Sequence, residues 1–193
     1  ASVVTVCCAV QNEYGTFARR LGVPDEIVLG LCTTGYACQV LQTNGGKIAM
    51  HLFNTAWCSQ LNEQPGALIL PALATQELRR IGGTCCEVAL MHHALQWLEP
   101  SNAREVRATL DRVTDFVFTG HDHIAGLRSS ADISKDLSTI LSEGAVLFDG
   151  SANPSEGYNV LLIDSTSSRY AFDKRNWVQD HYHSETTEVA WRV

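Results

Sequence analysis

Five residues of this chain carry the chemistry that is easiest to read. His92 and His93 follow the apolar run "CCEVALM", and His121-Asp122-His123 follows "FVFTG". Neutral imidazole is the commonest metal ligand among side chains. In an extended strand, two histidines separated by one residue would point to opposite faces. A turn entered just after a glycine breaks that alternation, so both rings can approach one region from different directions. This suits a pair of ions, with His121 and His123 each reaching a different one. Gly120 would let the backbone pass close to the ions with no Cβ in the way. Taken alone, each cluster reads equally well as a polar strand end with hydrogen-bonded or solvated rings, because short motifs recur by chance. Their joint occurrence after two apolar runs favours the metal reading.

For the two clusters to meet, the intervening chain must bring two strand ends together. Asn102 stands three residues before Glu105, an arrangement resembling a capping box. Ala103, Val106, Leu110 and Val113 then repeat at helical spacing, giving one apolar face. Strand, helix and strand predict a right-handed crossover in an α/β sheet. In such sheets functional residues gather beyond the carboxyl ends of the strands.

The flanking elements are plainer. Residues 1–10 fit a strand or a buried helix edge. "NEYGTFARRLG" predicts a helix ending at Gly22, with Arg19 and Arg20 in its last turn. Two extended runs around Asn44-Gly45-Gly46 predict a hairpin, since Asn-Gly supplies the positive φ of a tight turn. "CSQLNEQPG" reads as a polar loop and Pro71 to Arg80 as a helix stopped by Gly82-Gly83. "EGAVLFDG", "GYNVLLIDS" and "SRYAFDK" read as a strand meander closing the sheet. Residues 177–193 read as a polar tail or the start of a further segment, with the "DHYH" of Asp180–His183 solvated. Trp57 and Trp97 read as packing residues.

With 193 residues, 45% of them hydrophobic, the chain is long enough for one domain with its own core. The net charge of −7 argues against a surface that coats nucleic acid, although a local basic patch stays compatible with it. The longest apolar runs are too short for a membrane span, and "ASVVTVCCAV" has no basic segment before it. The seven cysteines contain no C-x-x-C pair, and the adjacent pairs Cys7-Cys8 and Cys85-Cys86 sit in apolar runs, as small hydrophobes of a reduced, cytoplasmic core would.

The quoted residues carry a family resemblance. "VALMHHALQWLEP…FVFTGHDH" resembles the second half of the calcineurin-like metallophosphoesterases, with their strand-end His-His and later G-H-x-H. "LFNTAWCSQLNEQPGALILP" and "EGAVLFDG…GYNVLLIDS" extend the likeness over roughly residues 11–176. The resemblance implies an αββα sandwich, here in part, with a mixed sheet and crossover helices. It implies two divalent or trivalent ions (Mn, Fe, Zn or Ni) on one rim and hydrolysis of a phosphoester. His92 and His121 would then share one metal and His123 would bind the other. His93 would stand beside them as the candidate catalytic residue, and Asp122 would be an exposed spacer. Ala94 replaces the family's proline, which removes no ligand.

The family's first-half motifs, D-x-H, G-D-x-x-D and G-N-H-D/E, are missing from the chain. The acids before the rim, Glu13, Asp25, Glu26, Glu63, Glu77 and Glu87, stand in no ligand-like motif. The expectation is therefore that residues 1–193 are the C-terminal part of such a domain. Its partner would be the missing N-terminal half, with this chain supplying the histidine side of the site. Two other readings compete. One is a mononuclear zinc hydrolase using His92, His121 and His123. The other is a non-catalytic half-domain that binds a partner through an exposed sheet edge.

Overall fold

The computed structural model describes residues 3–9, 11–122, 126–132, 137–144, 156–164, 166–167, 169–178 and 181–190. Three helices come first: α1 (Val3–Ala9), α2 (Asn12–Arg20) and α3 (Asp25–Thr33). They are followed by β1 (Tyr36–Thr43), β2 (Gly46–Phe53), α4 (Ala72–Glu77), β3 (Thr84–Met91), α5 (Pro100–Val113) and β4 (Phe116–Thr119). The remaining strands are β5 (Gly126–Asp132), β6 (Leu137–Glu143), β7 (Gly157–Asp164), β8 (Arg169–Val178) and β9 (His181–Ala190).

Two sheets result. One has the order β1-β2-β3-β4-β6-β5 and the other β7-β8-β9. In the first, β2, β3, β4 and β6 run parallel, while β1 and β5 are antiparallel edge strands. The expected crossover is present: β3 and β4 are parallel neighbours joined by α5. Val106, Leu110 and Val113 of α5 are buried against Ala89, Met91 and Val117 on one face of this sheet. On the opposite face Val88, Phe116 and Ile140 pack with Tyr170, Leu161 and Ile163 of the second sheet. The layers are therefore helices, mixed sheet, antiparallel sheet, in agreement with the expected α/β sandwich. Two of the three expected meander strands are present as β7 and β8, and with β9 they form a sheet of their own instead of closing the first.

Local expectations fare unevenly. α2 ends with the N–H of Leu21 on Phe17 and Ala18, and Gly22 follows at φ 84°. Residues 3–9 are helix rather than strand. The hairpin forms with Thr43 opposite Gly46, but the positive φ of 127° falls on Gly46 and not on Asn44 or Gly45. α4 stops at Glu77 because Leu78 is already extended. α5 is not capped by Asn102. Glu99 accepts from the N–H groups of Ser101 and Asn102, and Pro100 opens the helix where its missing N–H costs nothing. Asn102 instead pairs with both the N–H and the C=O of Leu70, tying the helix to the preceding loop.

Most of "EGAVLFDG" lies outside the described residues; β4 is flanked by β3 and β6, and β5 is the edge strand beyond β6. The segment read as a polar tail pairs with β8 as β9, with His181 and His183 both exposed. No helix among the described residues is long and apolar enough to cross a membrane.

Candidate metal centre

The parallel register Leu90↔Phe118 makes β3 and β4 end side by side. The N–H of Gly120 donates to the carbonyl of His92 at 2.9 Å, which carries the pairing one step past the strands. His121 then enters the left-handed region at φ 74°, the only described non-glycine residue to do so. That conformation is costly for an L side chain and needs surrounding structure to hold it. It supplies the break in alternation expected from the sequence and swings the ring back toward β3. Gly120 is less constrained than expected: a Cβ there would meet the His92 ring at an ordinary 3.5 Å.

The rings of His92, His93 and His121 consequently form one cluster, with a ligand atom from each lying within 4.8 Å of the others. Nε2 of His92 and Nδ1 of His121 face each other at 3.1 Å. Two nitrogens bound at about 2.05 Å to one tetrahedral ion stand about 3.3 Å apart. At 3.1 Å the two nitrogens share a hydrogen bond when one of them carries a proton, and the spacing is close to that of two ligands of a single ion when neither does. His123 lies outside the described residues.

His93 is buried and both of its ring nitrogens are engaged. Nε2 is 2.9 Å from Oε2 of Glu63, and Nδ1 is 2.9 Å from Oγ1 of Thr55, which also accepts from the His93 N–H at 3.1 Å. An ionised carboxylate only accepts, so in the neutral ring the proton sits on Nε2, and Nδ1 accepts from the Thr55 hydroxyl. Neither nitrogen then has a lone pair left for an ion. Burial pushes the imidazole below its ordinary value, with the Glu63 carboxylate pulling the other way.

Glu63 brings the carboxylate that the motifs do not. It comes from the polar loop after β2. Its Oε2 lies 3.7 Å from Nε2 of His121, and its Oε1 is buried with no hydrogen-bond partner. The nearby Ser59 hydroxyl, opposed by desolvation and helped by the charge of His93, holds its carboxyl below the ordinary range. No sequence signal marked it: the residue sits among Asn, Gln, Pro and Gly, and only the fold of the loop brings it to the rim. Of the other acids, Glu87 is spent elsewhere. It accepts from the buried ring of His51, whose other nitrogen meets the Tyr36 hydroxyl at 2.8 Å.

Two further expectations change. Asp122 is half-buried and not a solvated spacer, because Nε1 of Trp97 donates to it at 2.7 Å and Gln96 donates to its other oxygen. Trp97 is therefore more than packing: its ring meets His121 edge-on, with centroids 4.3 Å apart. The turn at Leu95–Trp97 thus pins the strained His121-Asp122 step. Asn54 sits on the same rim but turns its amide to Gln11 and Leu31.

No family model matches the chain, and no curated protein matches it. Among solved structures it is similar to Vps29 from Entamoeba histolytica complexed with zinc, at 12% identity and a TM-score of 0.40, over 78% of this chain and 59% of that one. It is also similar to Vacuolar Protein Sorting 29 from Cryptosporidium parvum, at 15% identity and a TM-score of 0.37, over 81% of this chain and 57% of that one. The chain thus spans less than two thirds of these neighbours' length. Likeness at this level says nothing of activity, ligand or partner.

Proposed function

We propose that this chain binds a divalent metal ion through His92 and His121 and serves the hydrolysis of a phosphoester. The observation that carries the reading is the pair of facing imidazole nitrogens at 3.1 Å. The unpartnered, buried Oε1 of Glu63 supports it, since a buried carboxylate oxygen without a partner is costly unless a cation or a proton meets it. A bound ion would supply Lewis-acid polarisation of the phosphoryl oxygens and a nucleophile at neutral pH. The residues of the chain do the rest. His92 and His121 hold the ion through Nε2 and Nδ1, and Glu63 brings negative charge to the far nitrogen of His121, Nε2. His93, through its Nε2 proton, fixes where Glu63 points, which makes it a positioning residue. Partners beyond the histidine ligands of this kind are common around protein-bound metals and affect affinity strongly.

The finer form of this reading is a two-ion centre in which His123 serves the second ion. A preceding N-terminal half would then supply the bridging carboxylate and the asparagine. It rests on the motif resemblance alone.

Metal content and hydrolysis of a generic phosphodiester test the reading together. The chain should hold close to one equivalent of zinc or manganese after dialysis, and His92→Ala or His121→Ala should each abolish retention. A wild-type chain that retains no ion would end the proposal. A chain that retains an ion through His92 and His121 but hydrolyses nothing would leave a metal-binding module. The second reading, a partner-binding domain, is favoured by one observation: Val6, Tyr14, Phe17, Leu21 and Leu29 on or beside α1–α3 are all exposed. If it holds, Phe17→Lys and Leu21→Lys should release a bound partner without changing metal content.

A further inference from the structure

We infer that the ligand of this site is amphiphilic: a phosphoester whose head lies at His92 and His121 and whose apolar tail fills a cavity running away from them. The inference rests on the metal-site reading above. The cavity has a volume of about 770 Å³, within the range of small-molecule pockets. One wall is a row of three side chains across the sheet. Leu52 faces Leu90 and Leu90 faces Phe118 in register on β2, β3 and β4. The opposite wall is Ala18 of α2 with Val28 and Leu31 of α3. His92 and Gly120 close one end, so the ring that faces His121 also borders the cavity.

The chemistry of the walls selects the occupant. Among the described residues, no Asp, Glu, Lys or Arg lines the cavity. The amides at its edge are already satisfied, Asn54 by Gln11 and Leu31, and Gln11 by the carbonyl of Ala56. The other polar groups of the lining are the hydroxyls of Tyr14, Thr55 and Thr119, so a charged body would enter at a desolvation cost with no opposite charge among the described lining residues to offset it. The His92 end is the place where an anion finds donors or an ion. A head that is anionic and a tail that is not satisfy both ends at once.

Alkyl phosphates of increasing length are the probe, titrated calorimetrically against the wild-type chain with and without zinc. From butyl to octyl phosphate the affinity should rise about fourfold per methylene, the ratio equivalent to ~0.8 kcal/mol of transfer free energy. Zinc should tighten every member of the series by the same factor. Leu31→Trp, which fills the cavity and leaves the histidines untouched, should flatten the series while keeping the affinity for methyl phosphate. Far-ultraviolet circular dichroism checks that this variant folds, and the wild-type series needs no variant. A flat wild-type series with zinc-dependent methyl phosphate binding intact would overturn the tail assignment and leave the metal reading standing. A rising series that is indifferent to zinc and equally strong for alkyl alcohols would overturn the head assignment, while the metal reading stands or falls on zinc retention alone.

Discussion

At the scale of residues, the centre depends on how five polar side chains divide their protons. His92 and His121 face each other, while His93 turns both nitrogens away to Thr55 and Glu63. Replacing Glu63 by Gln keeps the shape and leaves an amide oxygen that can accept from Nε2 of His93, but removes the charge. Zinc affinity should fall about 10- to 100-fold, the usual effect of losing a partner just outside the ligands, with the fold unchanged. Competition with a chromophoric chelator would read this, and an unchanged affinity would place Glu63 outside the centre. The cysteines give a second prediction. Cys86 is fully buried, and burial, with the nearby Asp115 carboxylate, pushes its thiol far above the ordinary range. Its neighbour Cys85 is half-buried and donates to the carbonyl of Lys47 at 3.2 Å. Native-state alkylation followed by peptide mapping should label Cys85 and spare Cys86 until the chain is unfolded, because the thiolate is the reactive form. That His92 and His121 come together was legible in the sequence because two histidine clusters each follow an apolar run and a helical segment joins them, although neither cluster alone is a strong signal. Glu63 was not, because a loop acid acquires its role only from where the loop lands.

At the scale of elements, the strand–helix–strand unit that aligns the two histidine clusters was legible from periodicity, while its start was not. The pattern Asn102–Glu105 fits a capping box, yet the helix begins earlier, at Pro100, and Glu99 caps it. A side chain that can reach a neighbouring backbone, as Asn102 reaches Leu70, abandons the local cap for the tertiary bond. The carboxyl of Glu99 is held below the ordinary range by the Ser101 hydroxyl first and by the N–H groups of Asn102 and Ser101 next. A group whose folded value is depressed stabilises the native state above its unfolded value and loses that contribution as pH falls through the folded one. Glu99→Gln keeps an acceptor but cannot titrate. The thermal midpoint of the wild type should therefore fall more steeply than that of the variant as pH drops below about 4.3. Parallel curves would mean that the charge contributes nothing to the cap.

At the scale of the molecule, the first sheet is sandwiched between unlike layers, and the site lies at the rim where both layers stop. The strand order could not be read from the sequence, because β5 and β6 carry a weak apolar pattern and pair only through tertiary context. If the layers form one cooperative unit, damage on either face must destabilise the whole. Tyr170 tests the side of the second sheet: it is buried and meets Phe116 edge-on, with centroids 5.4 Å apart. Tyr170→Ala should cost about 3–5 kcal/mol, as for other buried aromatics. Gly30 tests the helical end, where a Cβ would sit 2.5 Å from the carbonyl of Tyr36, a backbone atom that cannot swing aside. Gly30→Ala should cost about 1–3 kcal/mol through overpacking. In urea both variants should shift one shared transition, seen identically by circular dichroism and by tryptophan fluorescence, with unchanged slope. Two transitions in Tyr170→Ala, with the tryptophan signal near His121 intact through the first, would show that β7–β9 unfold alone. The metal centre would then depend only on the six-stranded sheet and its helices.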